Sequence, residues 1–300
     1  SFLFTATANS IFMPFEFNAA LRCPLDGLPM EWQDGVLRCA SRHSYDIAKQ
    51  GYANLLSAKD KRSKDPGDSH EMVAARHRFL EDGHYQAVAG SVADMLLPAI
   101  DTGTLIVDAG CGEGYYLEHL RGRIAEAGVS DVAMVGFDIS KWAVQVAARR
   151  FAAAWLVASN RSIPLGDSST DVVIDMFGFP DFNSFSRILK PSGLLLRVRA
   201  GRDHLIELRR LIYPSLKDRE LSQSAPPGFS LQAQSQINFE TVSLDKTQMA
   251  DLLLMTPHFF RASSEGKERA AAVDRMSVTV NVSLELFRKS SVPPVAAGYG

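Results

Sequence analysis

The sequence predicts an α/β fold with a mostly parallel, doubly wound sheet of seven strands, preceded by a small N-terminal module. Three observations predict it. An apolar run at Thr104–Val107 ends in a glycine-rich turn, and strand and helix patterns then alternate to about residue 200. Upstream, a stretch with two cysteines, a histidine and many turn residues holds too little apolar content for a core of its own.

The chain has 300 residues and is 46% hydrophobic, enough for one large α/β domain and a satellite. A formal net charge of -2 excludes a bulk polycation but permits a local basic patch such as Lys59, Lys61, Arg62 and Lys64. Asn9, Pro14 and Glu16 interrupt the apolar N-terminus, and no run approaches the roughly 18 apolar residues of a membrane span. That terminus lacks Lys or Arg before Arg22, which makes it a poor signal peptide. Three cysteines, Cys23, Cys39 and Cys111, are too few for a disulfide scaffold, so a reducing, cytoplasmic setting is expected.

Taken in order, residues 1–20 form an apolar extension and 21–57 the small module, with Gly35-Val36-Leu37-Arg38 as one of its strand-like pieces. Residues 58–98 hold a basic linker and two helices. Asp68 and Glu71 read as a capping box for the first, Gly83 as its stop, and Met72, Ala75, Phe79 and Leu80 as its apolar face. The second helix is expected near Ala87–Leu97. The main domain, 99–290, carries strands near Thr104–Asp108, Val132–Phe137, Ala154–Ala158, Asp171–Met176 and Gly193–Val198. A helix around Phe182–Leu189 and a turn at Lys190–Gly193 precede the last of these. Met276–Phe287 alternates, with Val278, Val280, Val282 and Leu284 on one face, as suits an antiparallel final strand; 291–300 is a tail.

Gly110, Gly112 and Gly114 let the backbone turn sharply and approach a ligand at a strand-to-helix connection. Asp138 ends the next strand about 24 residues past Gly114, close to the roughly 20 expected of a ribose-binding carboxylate. The spacing G-x-G-x-G differs from the dinucleotide G-x-G-x-x-G and resembles motif I of class I, Rossmann-like S-adenosylmethionine (SAM) methyltransferases. Asp108, Gly110, Gly112 and Glu113 are then expected beside the methionine end, and Asp138 at the ribose. By position, Ser159 and Asn160 fall near the adenine, with Leu165 as an apolar neighbour.

A longer set of motifs is more specific. Cys23-Pro24-Leu25, the run Arg42–Leu56 (RHSYDIAKQGYANLL), Lys61-Arg62-Ser63, Asp65–Ser69 and Gly83-His84-Tyr85 are collinear with Cys111–Tyr116 and Met255-Thr256-Pro257. Together they resemble the RlmA family of large-subunit ribosomal RNA (guanine-N1) methyltransferases from about Cys23 to Lys289. The resemblance implies SAM as cofactor, with contacts from Tyr85 and His204, and 23S ribosomal RNA as partner. It also implies a zinc-ribbon-like module with Cys-x2-Cys and Cys-x3-His ligands. Cys23, Cys39 and His43 match, and Asp26 stands where the second cysteine belongs. Zinc on Cys23, Asp26, Cys39 and His43 is therefore expected, with a metal-free module as the alternative.

Guanine N1 carries a proton at neutral pH, so methylation there needs its removal or strong stabilisation of the anionic base, by a carboxylate or a basic cluster. The loop Phe177–Phe182 lies where such enzymes meet their acceptor; its aromatics can stack on a base and Asp181 can serve as base or orienter. Relatives usually carry aromatic-Ala-Pro there, a departure that bears on the acceptor. For RNA, Lys59, Lys61, Arg62 and Lys64 with Arg76 and Arg78 are expected to meet phosphates. Two other readings stay open: a methyltransferase of the same fold acting on another RNA or a small molecule, and a SAM-binding RNA protein without catalysis. A homodimer is one option for its assembly.

Overall fold

The computed structural model describes residues 15–57, 59–60, 66–216 and 224–290. Within the module, β1 (Met30–Gln33), β2 (Val36–Cys39) and β3 (Ser44–Asp46) form a small antiparallel sheet. β4 (Tyr52–Asn54) leaves the module to join the main sheet. Helices α1 (His70–Glu81) and α2 (Gln86–Leu96) follow, then β5 (Leu105–Ala109), α3 (Tyr115–Glu126), β6 (Ala133–Asp138), α4 (Lys141–Ala147) and β7 (Ala154–Val157). After β8 (Thr170–Met176) come α5 (Phe182–Ile188), β9 (Leu189–Ala200) and α6 (Ile206–Ile212). The chain closes with β10 (Phe229–Glu240), β11 (Leu244–Asp245), α7 (Lys246–Leu254), α8 (His258–Arg261), α9 (Ser264–Ala271), β12 (Arg275–Met276) and β13 (Thr279–Lys289).

Among the described residues the main sheet has eight strands in the order β10-β13-β9-β8-β5-β6-β7-β4, one more than the seven expected. The six strands from β9 to β4 run parallel, and β13 is antiparallel to both β9 and β10. The extra strand is β4, which pairs Tyr52, Ala53 and Asn54 with Trp155, Leu156 and Val157 and so covers the edge of β7. Strand order reverses between β5 and β8, and at such a switch point an α/β sheet opens a crevice for ligands.

The two faces of the sheet are covered differently. One face packs on helices, with Phe79, Val92, Leu117 and Val144 against Ile106 and Ile174. Over the other, no helix spans the β7–β8 connection, and the module fills the space. Leu21, Met30, Leu37 and Leu55 share one cluster with Val107, Leu156 and Val173 from the sheet and Phe185 from α5. Phe15 belongs to that cluster and bridges to Ala153, so the described end of the N-terminal extension is packed rather than dangling. A segment too poor in apolar residues to fold alone is stabilised by burying what it has on a larger neighbour. Leu165, expected beside an adenine, instead lies in this layer bridged to Leu21.

Local chemistry shifts several boundaries. The N-cap of α1 is Ser69, whose Oγ accepts from Met72 N at 3.3 Å, and not Asp68. Asp68 is drawn away by Arg76. Lys190–Gly193, expected as a free turn, bulges within β9, and the pairing jumps from Thr170–Leu189 to Val172–Leu194. At the sheet centre Gly136 faces Trp155, whose ring lies 2.2 Å from where a Cβ would stand. The same ring comes within 3.0 Å of a Cβ on Gly114, so the buried Trp155 fits under the glycine turn only because both positions lack side chains.

Candidate active site and metal centre

The chain leaves β5 through Gly110, Gly112 and Gly114 at φ of 84°, 53° and 81°, a left-handed path that side chains disfavour. The amides of Gly110 and Cys111 donate to Phe137 O at 2.8 and 2.9 Å, tying the turn to the end of β6. Asp138 completes the tie, accepting from Gly112 N at 3.0 Å and Ser140 N at 2.8 Å. Ser140 caps α4 and donates its hydroxyl to Asp68 O at 2.7 Å, so the start of α1 rests on the same loop.

Asp108 is almost fully buried, and its Oδ1 has no partner. Burial pushes its carboxyl up to about 8, with the charges of Asp138 and Asp175 adding to the effect. A buried acceptor left over at a strand end is a position that a donor-bearing ligand can satisfy. Asp175, near the end of β8, repeats the pattern: its Oδ1 is orphaned, and burial raises it to about 7 against the pull of Arg197 and the Gly178 amide. It stands out in sequence only as a lone acid within Val172–Met176.

Tyr85 and His204, expected at the cofactor, meet across the rim: Tyr85 Oη lies 3.2 Å from His204 Nε2. His204 Nδ1 accepts from Asn281 N at 3.2 Å, which in the neutral ring leaves the proton on Nε2, donating to Tyr85. The Tyr85 hydroxyl keeps its own proton to give. Phe177, at φ 54°, stacks on His204 with centroids 5.9 Å apart. Phe179 is 83% exposed.

Glu113 faces elsewhere. Its carboxylate, 1% exposed, accepts from Arg150 at 2.6 Å and lies 2.6 Å from His77 Nδ1, and Arg150 Nε also donates to Glu113 O at 2.7 Å. Arg150 reaches Glu81 and Glu118 as well, so one guanidinium binds the glycine turn to α1 and α3. Neither Arg150 nor His77 carries a sequence signal for this role. Asp181 is the N-cap of α5, with Oδ1 accepting from Ser184 N at 2.9 Å. Asn160 Nδ2 donates to Phe179 O at 2.9 Å, and Ser159 turns the chain by bridging Ser162.

Of the residues expected to meet RNA, Lys59 is exposed, and Lys61, Arg62 and Lys64 lie outside the described residues. Arg76 and Arg78 each form an ion pair within the protein. Arg78 grips Asp251 through Nε and a terminal nitrogen at 2.8 and 2.6 Å, and Arg76 pairs with Asp68 and donates to Met255 O at 2.9 Å. Both charges are matched by acids from α7 or the α1 start, although the Arg78 side chain stays 56% exposed.

In the module, the ligand atoms of Cys23, Asp26, Cys39 and His43 all lie within 4.8 Å of one another. His43 Nδ1 is 3.4 Å from each sulfur and 3.1 Å from Asp26 Oδ2, and Cys39 Sγ is 3.5 Å from that oxygen. Tetrahedral zinc bonds of about 2.0–2.3 Å imply ligand separations of about 3.3–3.8 Å, so the cage fits that ion. Leu28 N donates to Asp26 Oδ1 at 3.1 Å and holds the carboxylate with Oδ2 inward, while Tyr45 Oη sits 3.4 Å from Cys23 Sγ. Gly27 and Arg42, both left-handed, shape the two ligand turns.

Residues 21–64 match the family description "RlmA, N-terminal", a zinc ribbon, and residues 106–193 match "Methyltransferase domain". A 23S rRNA (guanine(748)-N(1))-methyltransferase of Streptomyces fradiae is 32% identical over 245 residues, covering 79% of this chain and 84% of its own. Two relatives provisionally named 23S rRNA (guanine-N(1)-)-methyltransferases, from Micromonospora griseorubida and Bacillus subtilis (strain 168), are each 31% identical. Each alignment covers 89% of this chain and 96% of the relative.

Proposed function

Because the chain belongs to the family of 23S rRNA (guanine-N1) methyltransferases, we propose that it transfers a methyl group from SAM to N1 of a guanine in a 23S ribosomal RNA hairpin. The observation that carries this reading is that the four-ligand module and the glycine turn, each matched by a family description, lie in one chain whose relatives align over up to 89% of it, with the orphaned Asp108 oxygen beside the turn. Bound SAM supplies a methyl group on a sulfonium, ready for displacement by a nucleophilic nitrogen.

The residues divide the remaining work. Asp108 offers its unpaired oxygen to the ammonium of the methionine end, and Asp138 has lone pairs beyond its two amide bonds for ribose hydroxyls. Glu113 acts through the shape of the turn, since its carboxylate is held by Arg150. Tyr85, oriented by His204, covers the cleft and donates its hydroxyl proton. Phe177 and Phe179 present aromatic faces to an extruded base, and Asp181 takes the N1 proton through Oδ2, with Oδ1 fixed by the cap. Zinc on the module would lock its two turns and so the face it offers to RNA. No described helix is long and apolar enough to cross a membrane. Action on ribosomal RNA supports a cytoplasmic setting; whether one copy or a pair does the work is read by light scattering.

The test is incubation with SAM and unmodified 23S rRNA fragments, followed by nucleoside mass spectrometry. 1-Methylguanosine is expected, and its absence from protein that binds SAM overturns the reading. Asp181→Asn separates chemistry from capping, because asparagine caps as well as aspartate but is no base. Turnover is expected to fall about 100-fold or more with stability unchanged.

A further inference from the structure

Besides the ion-paired Arg76 and Arg78 and the exposed Lys59, the structure holds a second cationic surface, next to the acceptor loop. A groove of about 490 Å³ separates the first ligand turn of the module from the β7–β8 connection, and its walls carry Arg22, Arg161 and Arg187. We propose that this groove holds the phosphodiester backbone of the RNA strand flanking the target guanine, with Arg161 as the phosphate-contacting residue. The inference rests on the RNA reading given above.

Four observations carry it. Arg161 is exposed, and among the described residues its guanidinium makes no ion pair or hydrogen bond. Arg22 and Arg187 are held in place by carbonyls, Arg22 by Ala19 and Leu21 at 2.9 Å each and Arg187 by Ile163 and Leu165 at 2.7 Å each. Carbonyl bonds fix a guanidinium without cancelling its charge, and the one acid among the described lining residues, Asp167, is paired with Arg187 at 2.9 Å. The groove is therefore net positive, with planar donors suited to phosphate oxygens.

The other two observations concern position. The Arg161 segment is joined to the acceptor loop and its helix, since Asn160 Nδ2 donates to Phe179 O at 2.9 Å and Ser184 Oγ to Arg161 O at 3.4 Å. Exposed apolar side chains flank the track: Phe179 at the acceptor loop, 83% exposed, and Leu25 at the tip of the module, 63% exposed. Cations between unstacked apolar surfaces match single-stranded RNA, whose phosphates pair with arginine while its bases pack on exposed side chains.

The experiment measures binding of a 23S rRNA hairpin to full-length protein over a range of salt, for the wild type, Arg161→Ala and Arg161→Glu. Thermal melts and SAM affinity report folding. Arg161→Glu is expected to weaken binding about tenfold or more, Arg161→Ala less, and both to reduce the salt slope by about 0.7–0.9 for one lost phosphate contact. Unchanged affinity and slope in both variants overturn the proposal. Wild type that binds the hairpin through Arg161 yet forms no 1-methylguanosine upholds the groove and refutes the guanine reading; wild type that binds no RNA refutes both.

Discussion

Replacing Arg150 with methionine removes a cation that ties the glycine turn to both α1 and α3. Its side chain is 8% exposed and that of Glu113 only 1%, so the pair is screened by protein rather than water. Glu113 already has one oxygen without a partner, and Arg150→Met deprives the other of its strongest donor. Breaking a buried pair in this way costs about 3–5 kcal/mol, because the remaining carboxylate is stranded. His77, at 2.6 Å and 44% exposed, remains beside the carboxylate and offsets part of that, leaving an expected loss of about 2–4 kcal/mol. At about 2–4 °C per kcal/mol for a domain of this size, the melting temperature falls by roughly 4–16 °C. Urea titration of the wild type, Arg150→Met, Glu113→Gln and the double variant measures the coupling. The double variant is expected to recover much of the loss, since no charge is then left buried. A single-variant loss below about 1 kcal/mol, or a double variant no better than Arg150→Met, would refute the assignment of Arg150 as the partner that compensates Glu113.

Three further outcomes follow from the same geometry. Asp138→Ala unties Gly112 from Ser140 and is expected to raise the SAM dissociation constant at least about tenfold by calorimetry; equal affinity in a folded variant contradicts the ribose placement. Asp26→Cys replaces an oxygen ligand with a thiolate, and zinc is expected to resist a competing chelator roughly tenfold better; identical release shows that Asp26 is not a ligand. Asp175 has a folded pKa of about 7, above its unfolded value near 3.8, so the folded state holds its proton longer. Its favourable contribution is complete below the unfolded value and is lost as pH rises toward 7, so wild type should lose stability relative to Asp175→Asn across that window. Parallel pH profiles in denaturant titrations would mean that Asp175 is not buried as described.

Turn chemistry and periodicity are local properties, and what depends on them was legible in the sequence. The glycine spacing at 110–114, Asp138 at the end of its strand and the alternation through Val278–Leu284 each follow from residues a few positions apart, and the structure forms the elements they imply. The pair Cys39 and His43 is likewise local, and Cys23 with Asp26 closes on it. Where neighbouring residues competed for one role, local rules were not enough: Ser69 rather than Asp68 caps α1 because Arg76 draws Asp68 away.

Long-range pairing was not legible in this way. Nothing in Tyr52–Asn54 announces an eighth strand, because a three-residue edge strand is specified by the open edge of β7 that accepts it. Arg78 reads as a surface cation until Asp251, 173 positions on, is brought beside it. Glu113 likewise reads as a ligand of the methionine end until Arg150 claims its carboxylate. Local sequence thus determined the glycine turn and the central strands, but not the edge strand β4. The tertiary structure decided which charges are spent on the fold and which remain for a substrate, because a charge is neutralised by whatever lies within a few ångströms in space, however far away it lies in the chain.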